Sequence, residues 1–129
     1  MEHHYQSPWF IEALKEEGDL KINQLDSHLN TDICIIGGGY TGLWTALKIK
    51  EKKPTINVVI IEKDLCGSGA SGRNGGCMIP QSTKFQGIKK IVGLEDAKKI
   101  VISTEAAVNN IKNFCKKNNI DAQIRDDGV

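Results

Sequence analysis

The sequence predicts an α/β fold in which a glycine-rich turn and a helix connect two parallel strands. Two observations predict it: short apolar runs at residues 33–36 (ICII) and 58–61 (VVII), and a helical apolar pattern between them. Continuous apolar runs without alternation are typical of parallel strands that are buried on both faces. Strand, helix and strand at this spacing form a βαβ unit, whose crossover is right-handed in nearly all proteins.

Residues 1–30 precede this unit, and we predict an amino-terminal flap followed by a connector. Ser7 and Pro8 are favourable residues for the start of a short helix, which would carry an apolar group beginning at Trp9. We expect this helix to serve as a packing flap.

The helix of the βαβ unit is predicted to follow the glycine-rich turn and to stop before Pro54. Leu43, Ala46 and Leu47 are its predicted apolar positions, and Lys50 is its predicted exposed end. The second strand is rich in β-branched residues, as strands are, and runs directly into Glu62.

Residues 37–42 (GGGYTG), called the glycine turn below, match the pattern G-x-G-x-x-G. Gly37 permits the tight turn out of the strand, Gly39 lets the backbone approach a pyrophosphate, and Gly42 lets the helix pack close to the strand. The helix amino terminus favours phosphates through its unpaired N–H groups and its dipole. Within a βαβ unit this motif predicts a Rossmann-like dinucleotide site, and the alternative is a glycine turn in an unrelated α/β domain.

Glu62 lies at the carboxyl end of the second strand, twenty residues after Gly42. There a carboxylate can accept hydrogen bonds from the adenosine ribose hydroxyls, and its charge disfavours a ribose 2′-phosphate. The sequence therefore argues against NADP.

Residues 67–76 (GSGASGRNGG), called the second glycine segment, follow shortly after. Such a segment can offer backbone N–H groups to a phosphate-bearing ligand, although a flexible surface loop has the same composition. Taken together, the glycine turn, Glu62 and residues 69–76 resemble the FAD-dependent oxidoreductases of the D-amino-acid oxidase and glycine oxidase superfamily. The stretch ASGRNGG is most similar to the γ-glutamylputrescine oxidase group, and the resemblance runs from about Asp32 to the end of the chain.

The resemblance implies that the cofactor is FAD and not NAD. By position, the residues of the glycine turn that would face the pyrophosphate are Gly37, Gly39, Tyr40, Thr41 and Gly42. Those that would face the adenosine are Glu62 and Lys63. Those that would lie along the pyrophosphate, the ribityl chain and the flavin edge are Ala70, Ser71, Arg73, Asn74, Gly75 and Gly76. The role of Arg73 stays open between a phosphate contact, a place beside the flavin ring and a structural ion pair.

The resemblance also implies oxidation of an amine or amino acid by hydride transfer to the flavin, with residues 31–129 as a partial FAD-binding domain. We expect an incomplete doubly wound sheet without a substrate domain. An amine substrate is expected only in the full-length context. The missing carboxy-terminal portion, as a separate chain, is one expected partner. No catalytic residue is assigned. A non-catalytic dinucleotide-binding module and an inactive remnant of a truncated gene are the alternatives.

Residues 94–117 are predicted to form a long helix, which Glu95 and Asp96 open and Lys116 and Lys117 close, as the helix dipole favours. Asn118 and Asn119 suit its exit, and residues 122–125 are expected to begin a strand. The apolar stripe of the helix is predicted to be core packing. It comprises Ala97, Ile100, Val101, Thr104, Ala107, Val108, Ile111 and Phe114.

Charge and composition argue against several other classes of function. The chain has 17 basic and 16 acidic residues without a basic stripe, which argues against nucleic-acid binding. No apolar run is long enough for a membrane span, and residues 1–6 lack the apolar core of a signal peptide, so we expect a soluble, cytoplasmic protein. The four cysteines have neither C-x-x-C pairing nor histidines at ligand spacing, and we expect no metal site.

Overall fold

The computed structural model describes residues 7–18 and 23–126, and its α/β class confirms the sequence prediction. The elements are α1 (Pro8–Glu17), β1 (Ile33–Ile36), α2 (Tyr40–Lys52), β2 (Val58–Ile61), α3 (Phe85–Val92) and α4 (Leu94–Lys117), with 3₁₀ turns at Ala70–Gly72 and Gln81–Lys84. The chain divides into two compact units, residues 1–75 and 76–129. Over the described ranges, no helix combines the length and the apolar character that crossing a membrane requires.

The first unit contains the predicted βαβ arrangement. β1 and β2 are parallel, with Ile33 opposite Val58 and Ile36 opposite Ile61. The backbone N–H of Gly37 continues the ladder by donating to the carbonyl of Ile61 at 2.8 Å. The ends of β1 and β2 that lead into the glycine turn and Glu62 therefore lie side by side.

Helix α2 packs against both strands. Leu43 and Ala46 are half-buried as predicted, whereas Leu47 is 38% exposed and Ile49 takes the next inward position. At the other end of the helix, the Lys50 ammonium donates to the carbonyl of Ile56 at 2.9 Å, so that the helix exit is tied to the start of β2.

The prediction that the strands are buried on both faces is wrong for the described residues. Cys34 is exposed, and Ile36 is 89% exposed. Parallel strands become buried on both faces only when helices cover both faces of the sheet. In the described part of the first unit, α2 packs against the two strands, and the alternating side chains of β1 divide between a covered and an open face.

The second unit is helical. Helix α4 has the predicted bounds, and its half-buried positions include Val101, Thr104 and Val108, with Ala97 fully buried. Two members of the predicted stripe are exposed: Ile100, at 37%, and Ala107. Helix α3, which the sequence analysis did not predict, packs against α4.

The strand expected at residues 122–125 is absent from the described residues. Asn118 ends α4, and its side-chain amide donates to the carbonyl of Phe114 at 2.8 Å. Asn119 and Gln123 both have positive φ values, of 54° and 48°. A left-handed residue interrupts the extended backbone that a strand needs, so residues 120–126 form an irregular exit.

Candidate functional site

The glycine turn connects β1 to α2 as the motif predicts. Gly37 has a φ of +103°, a conformation that glycine adopts without steric cost. A Cβ at Gly42 would overlap the carbonyl oxygen of Gly37 and lie 3.3 Å from the Ile35 side chain. Glycine at position 42 therefore lets α2 begin directly beside β1, where the first N–H groups of the helix have no partner within the helix.

Glu62 follows β2 and is hydrogen-bonded to the glycine turn. Its Oε2 accepts from the backbone N–H of Gly38 at 2.7 Å, and its Oε1 accepts from the N–H groups of Lys63 and Asp64 at 2.9 and 3.2 Å. A carboxylate offers about four lone-pair positions. Glu62 can therefore hold the turn in place and still accept a hydrogen bond from a ribose hydroxyl.

The hydrogen bonds at Glu62 lower its pKa below the ordinary value of a glutamate. The bond from the Gly38 N–H is the largest cause, and the bond from the Asp64 N–H comes next; burial opposes the shift, and Lys63 supports it. Because these bonds favour the charged form, the side chain is an ionised acceptor at neutral pH.

The second glycine segment reaches the amino terminus of α2. Gly39 is the N-cap of this helix and makes no side-chain cap bond, and the Ser71 hydroxyl instead accepts from the Tyr40 N–H at 2.9 Å. The segment is linked to the turn a second time, because the N–H of Gly67 donates to the carbonyl of Gly38 at 3.0 Å. The Ser71 hydroxyl therefore lies where a helix amino terminus attracts anions.

Asn74 and Arg73 follow Ser71 but make different contacts. The Asn74 amide donates to the carbonyl of Ser71 at 2.6 Å and weakly to the Tyr40 hydroxyl at 3.5 Å. Arg73 instead donates through Nε to the carbonyl of Ser68 at 3.0 Å. Among the ion pairs of the described residues none involves Arg73, and its contacts with a phosphate or a flavin stay predictions.

Four other predicted site residues, Thr41, Lys63, Ala70 and Gly75, are exposed, and their contacts with the cofactor stay predictions. Gly76 falls in the second compact unit, and its place along the cofactor stays a prediction.

Gly38 is the residue that sequence reasoning missed. It is buried, donates to Glu62 and accepts from Gly67, so it links three segments of the site. A Cβ at this position would overlap the Cys66 sulfur. One signal could have identified Gly38: the run has glycine at three consecutive positions, although the motif requires glycine only at the first and third of them.

These residues fit FAD in the chemistry of their donors and acceptors. The N–H groups at the start of α2, the Ser71 hydroxyl and the Asn74 amide are the kinds of donor that bind a pyrophosphate. The Glu62 carboxylate is the acceptor that ribose hydroxyls need. A Cβ at Gly39 would lie 3.0 Å from the Ser71 Oγ, so a side chain there would crowd this hydroxyl.

Comparison with known proteins gives the same assignment. Residues 32–129 match the family model DAO, described as FAD dependent oxidoreductase. No solved structure gives a significant match.

Three curated relatives are oxidoreductases by name. The chain is 34% identical over 106 residues to the gamma-glutamylputrescine oxidoreductase of Escherichia coli (strain K12), covering 81% of this chain and 24% of that protein. It is 33% identical over 126 residues to the probable oxidoreductase OrdL of Rhizobium meliloti, covering 92% of this chain and 28% of that protein. The Haemophilus influenzae OrdL protein is 40% identical over 58 residues, covering 45% of this chain and 13% of its own length.

The chain thus spans about a quarter of the length of the first two relatives. The family match covers the glycine turn, Glu62, the second glycine segment and both helices of the second unit. The chain belongs to the DAO family of FAD-dependent oxidoreductases.

Proposed function

We propose that the chain provides the FAD-binding part of a cytoplasmic oxidoreductase that oxidises an amine or an amino acid. Family membership supports the FAD-binding role. The amine substrate is supported by the name of the Escherichia coli relative, gamma-glutamylputrescine oxidoreductase, and by the resemblance of residues 70–76.

The observation that carries the proposal is the meeting of three segments at the amino terminus of α2. The Gly38 N–H bonds to Glu62, and the Tyr40 N–H bonds to Ser71. Hydrogen-bond donors for an anion, an acceptor for ribose hydroxyls and a glycine-lined turn are thereby held within one compact unit. This combination suits a dinucleotide more closely than it suits a single phosphate.

When bound, FAD supplies the oxidising chemistry, by accepting a hydride from the carbon that carries the amine nitrogen. The residues of this chain would bind and orient the cofactor: the glycine turn and Ser71 would hold the pyrophosphate, and Glu62 with Lys63 would hold the adenosine. The groups that would bind the amine lie outside the residues assigned here. We propose that they belong to the remainder of a longer protein or to a separate chain.

The test is to incubate the purified chain with FAD, remove free cofactor, and record the visible spectrum across a size-exclusion peak. Flavin that co-elutes with a monomeric or dimeric protein peak is the expected result. Once the proposed amine-binding part is supplied, in a longer protein or as a separate chain, the FAD-loaded form should lose its flavin absorption when an amine is added without oxygen. A colourless monodisperse protein would contradict FAD binding by this chain, and a flavin that no amine reduces would contradict the substrate class.

A further inference from the structure

Helix α1 packs against the second glycine segment with one defined face. Ser7, Phe10 and Leu14 are half-buried, whereas Trp9 is 58% exposed and Glu12 is exposed. The three half-buried residues follow the three- and four-residue spacing that places side chains on one side of a helix. The face of α1 that they form is therefore covered.

Ser7 makes two hydrogen bonds in different directions. Its Oγ accepts from the N–H of Phe10 at 3.2 Å and so caps α1. The same hydroxyl donates to the carbonyl of Gly72, 65 residues away in sequence. One side chain thus both starts the helix and anchors it to the second glycine segment.

The ring of Phe10 lies on the backbone of the same segment. A Cβ at Gly67 would be 3.6 Å from Cε2 of this ring, and a Cβ at Gly72 would be 3.2 Å from Cδ2. A Cβ at Gly72 would also overlap the carbonyl oxygen of Gly67. Glycine at position 72 therefore lets the segment fold compactly beneath α1, whereas a Cβ at Gly67 would make an ordinary contact with the ring.

The anchored carbonyl belongs to the residue that follows Ser71. Residues Ala70–Gly72 form a single 3₁₀ turn, whose hydrogen-bond geometry is poorer than that of an α-helix. Ser71 must nevertheless hold its hydroxyl at the Tyr40 N–H, 2.9 Å away. A contact that fixes the next carbonyl restricts where this hydroxyl can lie.

We propose that α1 is a positioning element for the FAD site, in which Ser7 and Phe10 hold residues 67–73 so that Ser71 lies at the amino terminus of α2. The proposal rests on the function proposed above. A loop ordered before binding costs less entropy when the cofactor binds. Loosening α1 therefore weakens FAD binding through the loop, since neither Ser7 nor Phe10 is among the residues assigned to bind FAD.

Substitutions at Ser7 separate this role from helix stability. Ser7→Asp keeps a good N-cap acceptor for α1 but has no proton to donate to Gly72 at neutral pH, whereas Ser7→Thr keeps both functions. We expect S7D and Phe10→Ala to weaken FAD binding on the order of tenfold, as the loss of about one hydrogen bond or contact would. We expect Ser7→Thr to restore the wild-type dissociation constant and the exposed control Trp9→Ala to leave it unchanged. Equal affinity of S7D and the wild type would overturn the proposal.

Tryptic cleavage after Arg73 gives a second readout that needs no cofactor. In the FAD-free chain, S7D and F10A should be cut at this bond several times faster than the wild type and W9A, as followed by mass spectrometry. Unchanged cleavage in S7D and F10A would overturn the role of α1, whatever the FAD affinity. Faster cleavage in a chain whose wild type retains no FAD would support the positioning contact and count against the proposed function alone.

Discussion

Glu62 connects the stability of the βαβ unit with the proposed binding of adenosine. Its Oε2 holds the Gly38 N–H, and its Oε1 accepts from two N–H groups of the following loop. The ribose interaction expected from the sequence is therefore added to a structural role that the sequence did not reveal, because no pattern in the sequence shows which N–H a carboxylate will meet.

Replacing Glu62 by alanine is expected to weaken FAD binding on the order of tenfold, the effect of losing one or two hydrogen bonds. Part of that loss arises through the glycine turn, since Gly38 also loses its acceptor. Fluorescence titration with FAD measures the change, and Asp64→Asn is the matched control because the Asp64 bond to Glu62 uses the backbone N–H. Undiminished affinity in E62A would remove Glu62 from the site.

The lowered pKa of Glu62 predicts an acid-dependent contribution to stability. A carboxyl group whose folded-state pKa is lowered stabilises the folded chain above its unfolded-state pKa, and this stabilisation disappears as the pH falls through the folded-state value. Glu62→Gln does not titrate. Thermal unfolding followed by circular dichroism should therefore show the wild type more stable than E62Q at pH 7, with the difference shrinking toward about pH 3. A difference that is constant over this range would contradict the assigned hydrogen bonds.

Gly39→Val is predicted to abolish FAD binding. The new Cβ would lie 3.0 Å from the Ser71 Oγ, and its two methyl groups would extend into the path of the pyrophosphate. Gly69→Ala is the matched control, because a Cβ there meets nothing within 4 Å. Equilibrium dialysis with FAD measures both variants. If G39V bound FAD as tightly as G69A, the glycine turn would not be the pyrophosphate site.

At the scale of elements, the sequence predicted the regular helices and strands that carry strong periodic patterns. The strands at residues 33–36 and 58–61, the helix after the glycine turn and the helix over residues 94–117 all have the expected positions. Helix α3 was not predicted, since it is only eight residues long and contains a glycine, although four of its residues are apolar. The exposure of Ile36 was not predicted either, because an apolar strand pattern does not reveal which face a neighbour covers.

The two glycines of the α3 region should respond to alanine in opposite directions. Gly87 lies within α3, and a Cβ there meets nothing within 4 Å, so Gly87→Ala should stabilise the chain by about 0.5–1 kcal/mol through helix propensity. Gly93 separates α3 from α4 with a φ of 83° and a ψ of 171°, a region that only glycine adopts readily, and Gly93→Ala should destabilise the chain by about 1–3 kcal/mol. Urea unfolding measures both free energies. Destabilisation by G87A would contradict the open environment of that helix face.

For the molecule as a whole, the candidate site is concentrated in one of the two compact units. The glycine turn, Glu62 and residues 70–75 belong to the unit of residues 1–75, and α3 and α4 belong to the other. The sequence predicted the residues of the first unit by motif, but it did not predict that α1 joins them. The contact between Ser7 and Gly72 joins residues that are 65 positions apart, and no sequence pattern indicates that two such distant residues are partners.

Hydrogen exchange can therefore locate FAD binding across the whole chain. A ligand that binds only the folded state stabilises it in proportion to the logarithm of the ratio of its concentration to its dissociation constant. Amides at the contact surface gain additional protection. Because the proposed donors belong to the first unit, we expect saturating FAD to slow exchange at residues 37–42 and 70–75, and to slow it less over residues 94–117.

The G39V chain, incubated with the same FAD, is the control for protection that does not depend on the site. Protection confined to residues 94–117 would place the cofactor elsewhere, whereas equal slowing over both units would mean that FAD binding couples them into one cooperative structure.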